Sequence, residues 1–290
     1  MGEMLSESCA TQAIARIISN QQLTATIFRI EIESPEIAAT VRPGQFLMVR
    51  PQAGNDPLLG RPLALYDIQA DSCGQPHSFS LVYQVFGRGT ARLSQMKPGE
   101  ELRVWGPLGH PFNAEPAATD IWFVAGGIGY TPFLALGKWW LGRSAFGGKI
   151  LSPDQNRKIE FIYGARSASV LPPLDEFLEA GMTVSLCTDD GSRGHPGRVT
   201  DLMTHRLDKV ADFIPDLIVA CGPEPMLAAV SRWADSHSVR CLVSLENQMA
   251  CGFGACFSCV APIRQADGSV DLRRVCIEGP IFDGRQVAWH

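Results

Sequence analysis

Four cysteines near the C-terminus have types and spacing that suit an inorganic cofactor. Three follow the pattern C-x4-C-x2-C and the fourth comes after a short polar stretch: Cys251, Cys256, Cys259 and Cys276. Thiolates at this spacing can surround a two-iron, two-sulfide cluster. Gly252 and Gly254 lie between the first two cysteines, where residues without a Cβ let the backbone turn its N–H groups toward sulfide. The stretch therefore predicts a [2Fe-2S] site.

A structural zinc site is the alternative use of four cysteines. Such sites more often contain two C-x2-C pairs, whereas this stretch has one, Cys256 with Cys259. The other cysteines are scattered and show no disulfide framework: Cys9, Cys73, Cys187, Cys221 and Cys241. This usage is typical of a reducing compartment, where a thiolate-bound cluster also survives. We expect a cytoplasmic protein.

Length and composition indicate a globular enzyme of more than one domain. The chain has 290 residues, 46% of them hydrophobic and 19% charged, and a domain commonly takes ~100–200 residues. A formal net charge of −5 gives no sign of a nucleic-acid surface. No apolar run reaches the ~18 residues of a membrane span, and the acidic residues 1–8 do not resemble a secretion signal. We therefore expect neither a nucleic acid nor a membrane as partner.

The first third of the chain predicts an antiparallel β-barrel. Between Gln12 and Phe112, short runs with alternating apolar residues are separated by Gly- and Pro-containing turns. The clearest runs cover residues 24–32, 46–50 and 78–85. Period-two alternation at this spacing is typical of a small barrel whose strands each bury one face.

Two patches inside this region resemble the flavin-binding motifs of the ferredoxin–NADP reductase superfamily. They are Leu59-Gly60-Arg61-Pro62-Leu63-Ala64-Leu65-Tyr66 and Val82-Tyr83-Gln84-Val85-Phe86-Gly87-Arg88-Gly89-Thr90. In that superfamily an R-P-x-S/T strand lies along the isoalloxazine ring, and the Arg and a G-x-G-T turn hold the FAD pyrophosphate. An Arg fork and inward amides are suited to phosphate. The resemblance implies FAD-binding roles for Arg61, Pro62, Leu63, Ala64, Val82, Tyr83, Gln84, Gly89 and Thr90.

Each flavin motif also has an ordinary structural interpretation. Arg61-Pro62 alone fits a strand edge, and Gly87 to Thr90 alone fits a hairpin turn. Ala64 departs from the superfamily, which has Ser or Thr there, so a hydroxyl near the flavin N5 edge is missing.

The middle third predicts an α/β unit that binds a nucleotide. The apolar run 120–125 is typical of a strand buried on both faces. It leads into Gly126-Gly127-Ile128-Gly129 and a helix from Phe133 to Leu141, an arrangement that can hold a pyrophosphate on free N–H groups. Further strands are predicted at residues 158–164, 182–187, 216–221 and 239–244. Strands separated by helices indicate a parallel sheet with ligands at its carboxyl edge.

The segment Cys221-Gly222-Pro223-Glu224-Pro225-Met226 is similar to the superfamily's C-G-P-x-P-M motif. The resemblance places Cys221 where nicotinamide meets flavin, which makes it the candidate catalytic residue as a polarisable wall beside the hydride path. No His partner for a nucleophilic thiol is apparent.

The nicotinamide cofactor is expected to be NADH. Asp190 follows a predicted strand, and a carboxylate suits a free ribose diol, whereas Arg166 and Arg193 would favour NADPH. The residues expected to bind nucleotide are Gly126, Gly127, Gly129, Asp190, Gly222 and Pro223.

The order of the three regions narrows the resemblance. The motif from Ser244 to Cys259 and the ending from Val275 to Phe282 make the chain similar to electron-transfer subunits of class 1B, NAD-dependent dihydroorotate dehydrogenase. That family carries FAD and a [2Fe-2S] cluster, and it works with an FMN-containing subunit that oxidises dihydroorotate in pyrimidine (UMP) biosynthesis, as a hetero-oligomer of two of each. Flavin between a hydride carrier and a one-electron cluster is chemically consistent with this task.

Two other functions remain open from the sequence. One is an NADH-linked flavin/iron–sulfur subunit that serves ferredoxin or sulfur chemistry; relatives of that kind can place Asp at the first ligand position, here Cys251. The other is a non-enzymatic zinc-binding regulatory module. For the chain as a whole we expect a β plus α/β fold. It consists of a flavin-binding antiparallel barrel over 1–115, an NAD-binding parallel-sheet domain over 116–240, and a small iron–sulfur segment over 241–290.

Overall fold

The computed structural model describes residues 10–52, 54, 56–209 and 214–289. The acidic first eight residues and Cys9 lie outside these ranges. Within them, no helix is long and apolar enough to cross a membrane.

The first part is a closed antiparallel barrel, as predicted. Its strands are β1 (Thr11–Gln22), β2 (Ile27–Glu33), β3 (Phe46–Pro51), β4 (Arg61–Ala70), β5 (Pro76–Gln84) and β6 (Glu101–Leu108). Their order around the barrel is β1-β2-β5-β4-β3-β6. Alternate residues point inward, so that Ile30, Leu47 and Val104 are fully buried, which is the packing that period-two alternation predicts.

Two short helices accompany the barrel, α1 (Pro35–Thr40) and α2 (Arg88–Gln95). The Gly87-to-Thr90 motif is not a hairpin turn, because it begins α2. The Thr90 hydroxyl oxygen accepts hydrogen bonds from the backbone N–H groups of Phe86 and Gly87, at 3.1 and 3.2 Å. These bonds fix the direction in which the helix starts.

The second part is a seven-stranded sheet with the order β10-β9-β8-β7-β11-β12-β15. Its strands are β7 (Asp120–Gly126), β8 (Lys158–Ala165), β9 (Thr183–Thr188), β10 (His195–Pro196), β11 (Leu217–Cys221), β12 (Arg240–Ser244) and β15 (Ile281–Asp283). The predicted parallel pairing is confirmed for the first six of these in sheet order. The edge strand β15 pairs with β12 in the antiparallel direction, so the sheet is mixed.

Helices cover both faces of this sheet. They are α3 (Phe133–Trp140), α4 (Asp175–Glu179), α5 (Val199–Lys209) and α6 (Glu224–Ser236). The predicted helix after the glycine turn is confirmed within one residue at its end. A 3-10 turn over Gly127–Tyr130 separates it from β7.

The C-terminal segment leaves the sheet after β12 and returns to it. It contains the hairpin β13 (Val260–Arg264) and β14 (Val270–Arg274) and the short helix α7 (Val275–Glu278), and it ends on β15. Leu245 N–H donates to the Pro280 carbonyl at 2.9 Å, so the two ends of the excursion are adjacent. The strand before this excursion, β12, and the strand after it, β15, therefore belong to the same sheet.

Polar contacts join the barrel to the sheet region. Lys138 of α3 pairs with Asp67 of β4 at 2.6 Å. Glu176 of α4 accepts from Arg29 of β2 and from the Tyr66 hydroxyl of β4, both at 2.7 Å. These half-buried charge-assisted bonds hold β2 and β4 against α3 and α4.

Candidate functional site

Arg61 and the start of α2 form a cradle for an anion. The Arg61 guanidinium donates to the carbonyls of Leu59 and Gly60 at 3.0 and 3.1 Å, which holds it beside the helix. A Cβ at Gly89 would lie 2.8 Å from the Arg61 Nε, so only glycine lets the guanidinium approach so closely. A fixed guanidinium next to free N–H groups at a helix start is suited to phosphate.

The rest of β4 offers a half-buried edge next to this cradle. Pro62, Leu63 and Ala64 are each partly exposed, which is unusual among barrel strands otherwise buried on one face. On β5, Val82 and Tyr83 are buried, and the Tyr83 hydroxyl donates to Asn20 at 3.0 Å. Because their side chains are buried, only the backbone groups of these two residues can contact a bound cofactor. Gln84 lies at the end of β5, and Thr90 lies in the first turn of α2.

The glycines of the nucleotide motifs pack against one another. A Cβ at Gly129 would overlap the Cys221 carbonyl, and a Cβ at Gly222 would lie 3.0 Å from the Gly126 backbone N. A Cβ at Gly126 would lie 3.3 Å from Pro223. The two loops at the carboxyl ends of β7 and β11 are therefore in direct contact, at the edge where open α/β sheets bind ligands.

Gly127 has the left-handed φ of 55° and no neighbour where a Cβ would be. The buried Tyr163 hydroxyl donates to its carbonyl at 2.9 Å. This bond fixes the orientation of the peptide that follows, and hence where the N–H groups of the turn point. The sequence places Tyr163 near the carboxyl end of the predicted strand 158–164, at the ligand edge, but it does not show that the Tyr163 hydroxyl reaches the glycine turn.

Cys221 is the last residue of β11, and it is only 3% exposed to solvent. Its thiol is 3.9 Å from Oε1 of Glu246, which follows β12. Burial, and after it the Glu246 charge, raises the pKa of Cys221 well above its ordinary value. Glu246 is open to a cavity of about 350 Å³ beside Gly222 and Pro223. The Glu246 side chain is exposed to solvent on that side, and the protein groups packed around its carboxylate partly desolvate it, which raises its pKa.

Glu246 was not singled out from the sequence as a site residue. Two signals were available: its place directly after a predicted strand of a parallel sheet, which is the ligand edge, and its place in the motif from Ser244 to Cys259.

Asp190 is exposed in the loop after β9, at the same edge. Its Oδ1 accepts from the Ser192 N–H at 3.0 Å and from the Ser192 hydroxyl at 2.5 Å. The hydroxyl bond is the main cause that lowers the pKa of Asp190. The carboxylate is therefore ionised and held in one orientation.

The four cluster cysteines lie together as two pairs. Cys251 and Cys256 are within hydrogen-bond reach of each other, and so are Cys259 and Cys276. Among the described residues, no three Cys, His, Asp or Glu side chains converge so that they could hold a single metal ion. Four cysteine thiols in two neighbouring pairs are suited to a binuclear cluster, which takes two thiolates on each iron.

The backbone of this loop is unusual in a way that suits a cluster. Gly252 and Gly254 have φ values of 83° and 86°, as expected from the sequence, and Phe257 has 54°. A bulky residue in the left-handed region is strained and persists where the surroundings fix the chain. Arg274 contributes by lying over the Phe257 ring at 4.5 Å and by donating to the Gly254 carbonyl at 3.3 Å.

The cluster loop also rests on the barrel. A Cβ at Gly252 would lie 2.7 Å from Met48 of β3 and 3.0 Å from Leu108 of β6. Met48 pairs in register with Pro62 of the predicted flavin strand. One strand thus separates the cluster loop from the strand expected to contact flavin.

Known proteins match this chain over nearly its full length. Residues 246–288 match the model of the iron–sulfur cluster binding domain of dihydroorotate dehydrogenase B. The electron transfer subunit of dihydroorotate dehydrogenase B (NAD(+)) from Desulforamulus reducens is 33% identical over 95% of this chain and 97% of its own. The corresponding subunit from Bacillus caldolyticus is 35% identical over 93% and 96%.

A solved structure shares the complete architecture. A chain of NADH-dependent reduced ferredoxin-NADP oxidoreductase superposes with a TM-score of 0.77 at 27% identity, over 100% of this chain and 92% of that one.

Barrel, sheet and cysteine-rich segment together define an oxidoreductase subunit of the ferredoxin–NADP reductase type with an iron–sulfur cluster binding domain. Within that class, the chain belongs to the family of electron transfer subunits of NAD-dependent dihydroorotate dehydrogenase B. The assignment confirms the resemblance inferred from the sequence.

Proposed function

We propose that this subunit binds FAD in the barrel and a [2Fe-2S] cluster at Cys251, Cys256, Cys259 and Cys276, and exchanges hydride with NAD(H) at Cys221. The observation that supports the proposal is the contact of Gly252 with Met48, because Met48 pairs with Pro62 and only β3 lies between the cysteine loop and β4. Flavin converts between two-electron hydride transfer and one-electron transfer to iron–sulfur centres.

Each group of residues has a different role in this proposed function. Arg61, Gly89 and Thr90 hold the pyrophosphate, and Pro62, Leu63 and Ala64 line the ring, with backbone contributions from Val82, Tyr83 and Gln84. Gly126, Gly127, Gly129, Gly222 and Pro223 receive the dinucleotide. The neutral Cys221 thiol closes the space in which nicotinamide meets flavin and keeps water from it.

NADH is the proposed co-substrate. The oriented, ionised Asp190 can accept hydrogen bonds from a ribose diol, and it would repel a 2′-phosphate.

The proposed partner is an FMN-containing dihydroorotate dehydrogenase catalytic subunit, in an assembly of two of each, acting in cytoplasmic pyrimidine biosynthesis. Support comes from the names of the relatives and from the surface at the cluster. Cys256 is exposed, and Phe253 and Phe257 beside it are 58% and 60% exposed. Apolar side chains around an exposed ligand are suited to a protein interface. We retain 1–115, 116–240 and 241–290 as the proposed division into FAD, NAD and cluster regions.

Co-expression with the neighbouring catalytic subunit tests this function. We expect co-purification of the two chains, flavin and iron–sulfur absorption bands, and NAD reduction when dihydroorotate is added. A colourless protein that holds one zinc would contradict the proposal.

A second function is favoured by the similarity to the NADH-dependent reduced ferredoxin-NADP oxidoreductase chain. In that case the purified subunit would exchange electrons with ferredoxin and ignore dihydroorotate.

A further inference from the structure

Trp105 of β6 contacts both the predicted flavin strand and the predicted cluster loop. Its indole N–H donates to the carbonyl of Cys251 at 3.0 Å. The other end of the indole lies against Gly60, the residue before Arg61, so closely that a Cβ at position 60 would overlap the ring. One rigid side chain therefore spans from the start of β4 to the first cysteine.

We propose that Trp105 is a positioning residue that sets the separation between the flavin strand and the first cluster ligand. The inference rests on the proposed function, since it assigns a role to this chain toward FAD and the cluster. Electron transfer slows steeply as donor and acceptor move apart. A rigid side chain that fixes the distance between the two sites therefore sets the rate of electron transfer between them.

The surroundings of Trp105 indicate that it separates the two sites and does not merely fill the hydrophobic core. Trp105 is half-buried and pairs in register with Met48, and both residues point out of the barrel toward the cluster loop. Met48 meets Gly252, while Trp105 bonds the neighbouring Cys251. Two adjacent barrel side chains thus hold two consecutive residues of the loop, one by shape and one by a hydrogen bond.

The Trp105 indole hydrogen-bonds the peptide carbonyl of Cys251 and not its sulfur. A bonded carbonyl holds the Cys251 peptide in one orientation, and the thiolate direction follows from that backbone. Groups that orient metal ligands commonly affect metal retention. Trp105 should therefore affect how firmly iron is held and the symmetry of the reduced cluster, without affecting how FAD accepts hydride.

Trp105→Phe tests this in the FAD- and iron-loaded chain, since it keeps an aromatic ring at position 105 and removes the N–H donor. We expect a chelator to remove iron about fivefold faster, as for the loss of one ordinary hydrogen bond. We also expect a changed electron paramagnetic resonance spectrum of the reduced cluster. Reduction of FAD by NADH should keep its rate, while the following transfer from flavin to cluster slows.

Trp139→Phe is the matched control, because the Trp139 indole donates to the Lys149 carbonyl at 3.2 Å in the nucleotide-binding region. If Trp105→Phe and Trp139→Phe give the same iron loss and the same spectrum as the unaltered protein, the inference is overturned. Should Trp105→Phe fail to fold, Gly60→Ala decides, since its Cβ displaces the indole: an altered spectrum supports the inference and an unaltered one overturns it. An unaltered protein that binds neither FAD nor iron would instead contradict the proposed function.

Discussion

The Cys221 thiol lies 3.9 Å from the Glu246 carboxylate at the carboxyl edge of the sheet. Burial raises the pKa of the Cys221 thiol, and partial desolvation by neighbouring protein groups raises that of the Glu246 carboxyl. A thiol with a raised pKa stays protonated at neutral pH, and a protonated thiol is a poor nucleophile. The geometry thus favours Cys221 as a neutral wall of the hydride path over covalent chemistry.

Cys221→Ala should slow hydride transfer. The substitution leaves space where the thiol is proposed to close the nicotinamide site, and a loosely positioned hydride donor reacts more slowly, here by about tenfold. Stopped-flow reduction of FAD by NADH measures the step. Cys241→Ala is the control, since Cys241 is a buried cysteine of the neighbouring strand β12. A Cys221→Ala enzyme as fast as the control would remove Cys221 from the reaction.

Glu246→Gln should change how stability depends on pH. The pKa of Glu246 is raised from 4.5 by burial, so the folded protein keeps this proton to a higher pH than the unfolded chain does. The stability linked to it is fully present below the unfolded pKa and is lost as pH rises through the folded pKa. The variant should lack this loss in urea unfolding measured across that window, while Glu179→Gln, at the end of α4 and away from the cavity beside Gly222, should retain it. Identical pH profiles for Glu246→Gln and the unaltered protein would be evidence against a desolvated carboxylate.

The sequence predicted what local periodicity and motifs encode, and little of what depends on contacts between distant residues. Alternation predicted the barrel strands, and continuous apolar runs predicted β7 and β11. The three-residue β15 is too short to show a period, so the mixed character of the sheet was missed. The start of α2 was ambiguous because Gly and Thr suit both a turn and a helix cap. Glu246 and Trp105 acquire their roles only through partners in other strands.

Arg61→Ala should weaken FAD binding. Hydrogen bonds to a charged group are worth about 2 kcal/mol, so the dissociation constant should rise roughly thirtyfold. Gly89→Ala should have a similar effect by a different route, because its Cβ would displace the guanidinium. Fluorescence titration of apoprotein with FAD measures both. Arg103→Ala, on the outer face of β6, should bind FAD normally, and equal affinity in all three variants would place the pyrophosphate elsewhere.

Cys256→Ser should separate flavin chemistry from electron exit. We expect reduced iron content, unchanged FAD content, unchanged FAD reduction by NADH, and loss of transfer to the partner subunit. Cys73→Ser, an exposed cysteine in a barrel turn, is the matched control. Full transfer in the Cys256→Ser protein would exclude the cluster as the relay.

Asp67→Asn should destabilise the protein by leaving Lys138 without its counter-charge. The Asp67 side chain is 8% exposed and that of Lys138 24%. Breaking a buried pair costs about 3 kcal/mol or more, and we expect the lower end because Lys138 keeps some solvent. Asp235→Asn breaks the exposed pair with Arg285 and should cost about 0–1 kcal/mol. Equal urea midpoints for the two variants would show that the Lys138–Asp67 bond contributes nothing to joining the barrel and the sheet.

The return of the chain to β12 through β15 makes the iron–sulfur region a cassette inserted between two neighbouring strands of the sheet. Ser244 and Ile281 face each other in register, and the Leu245 N–H bonds the Pro280 carbonyl. The cassette therefore enters and leaves through neighbouring strand ends, as a hairpin loop does. Replacing 246–279 by a tight two-residue turn would keep the order of the sheet strands, but it would expose the surfaces of Met48 and Leu108 that Gly252 covers.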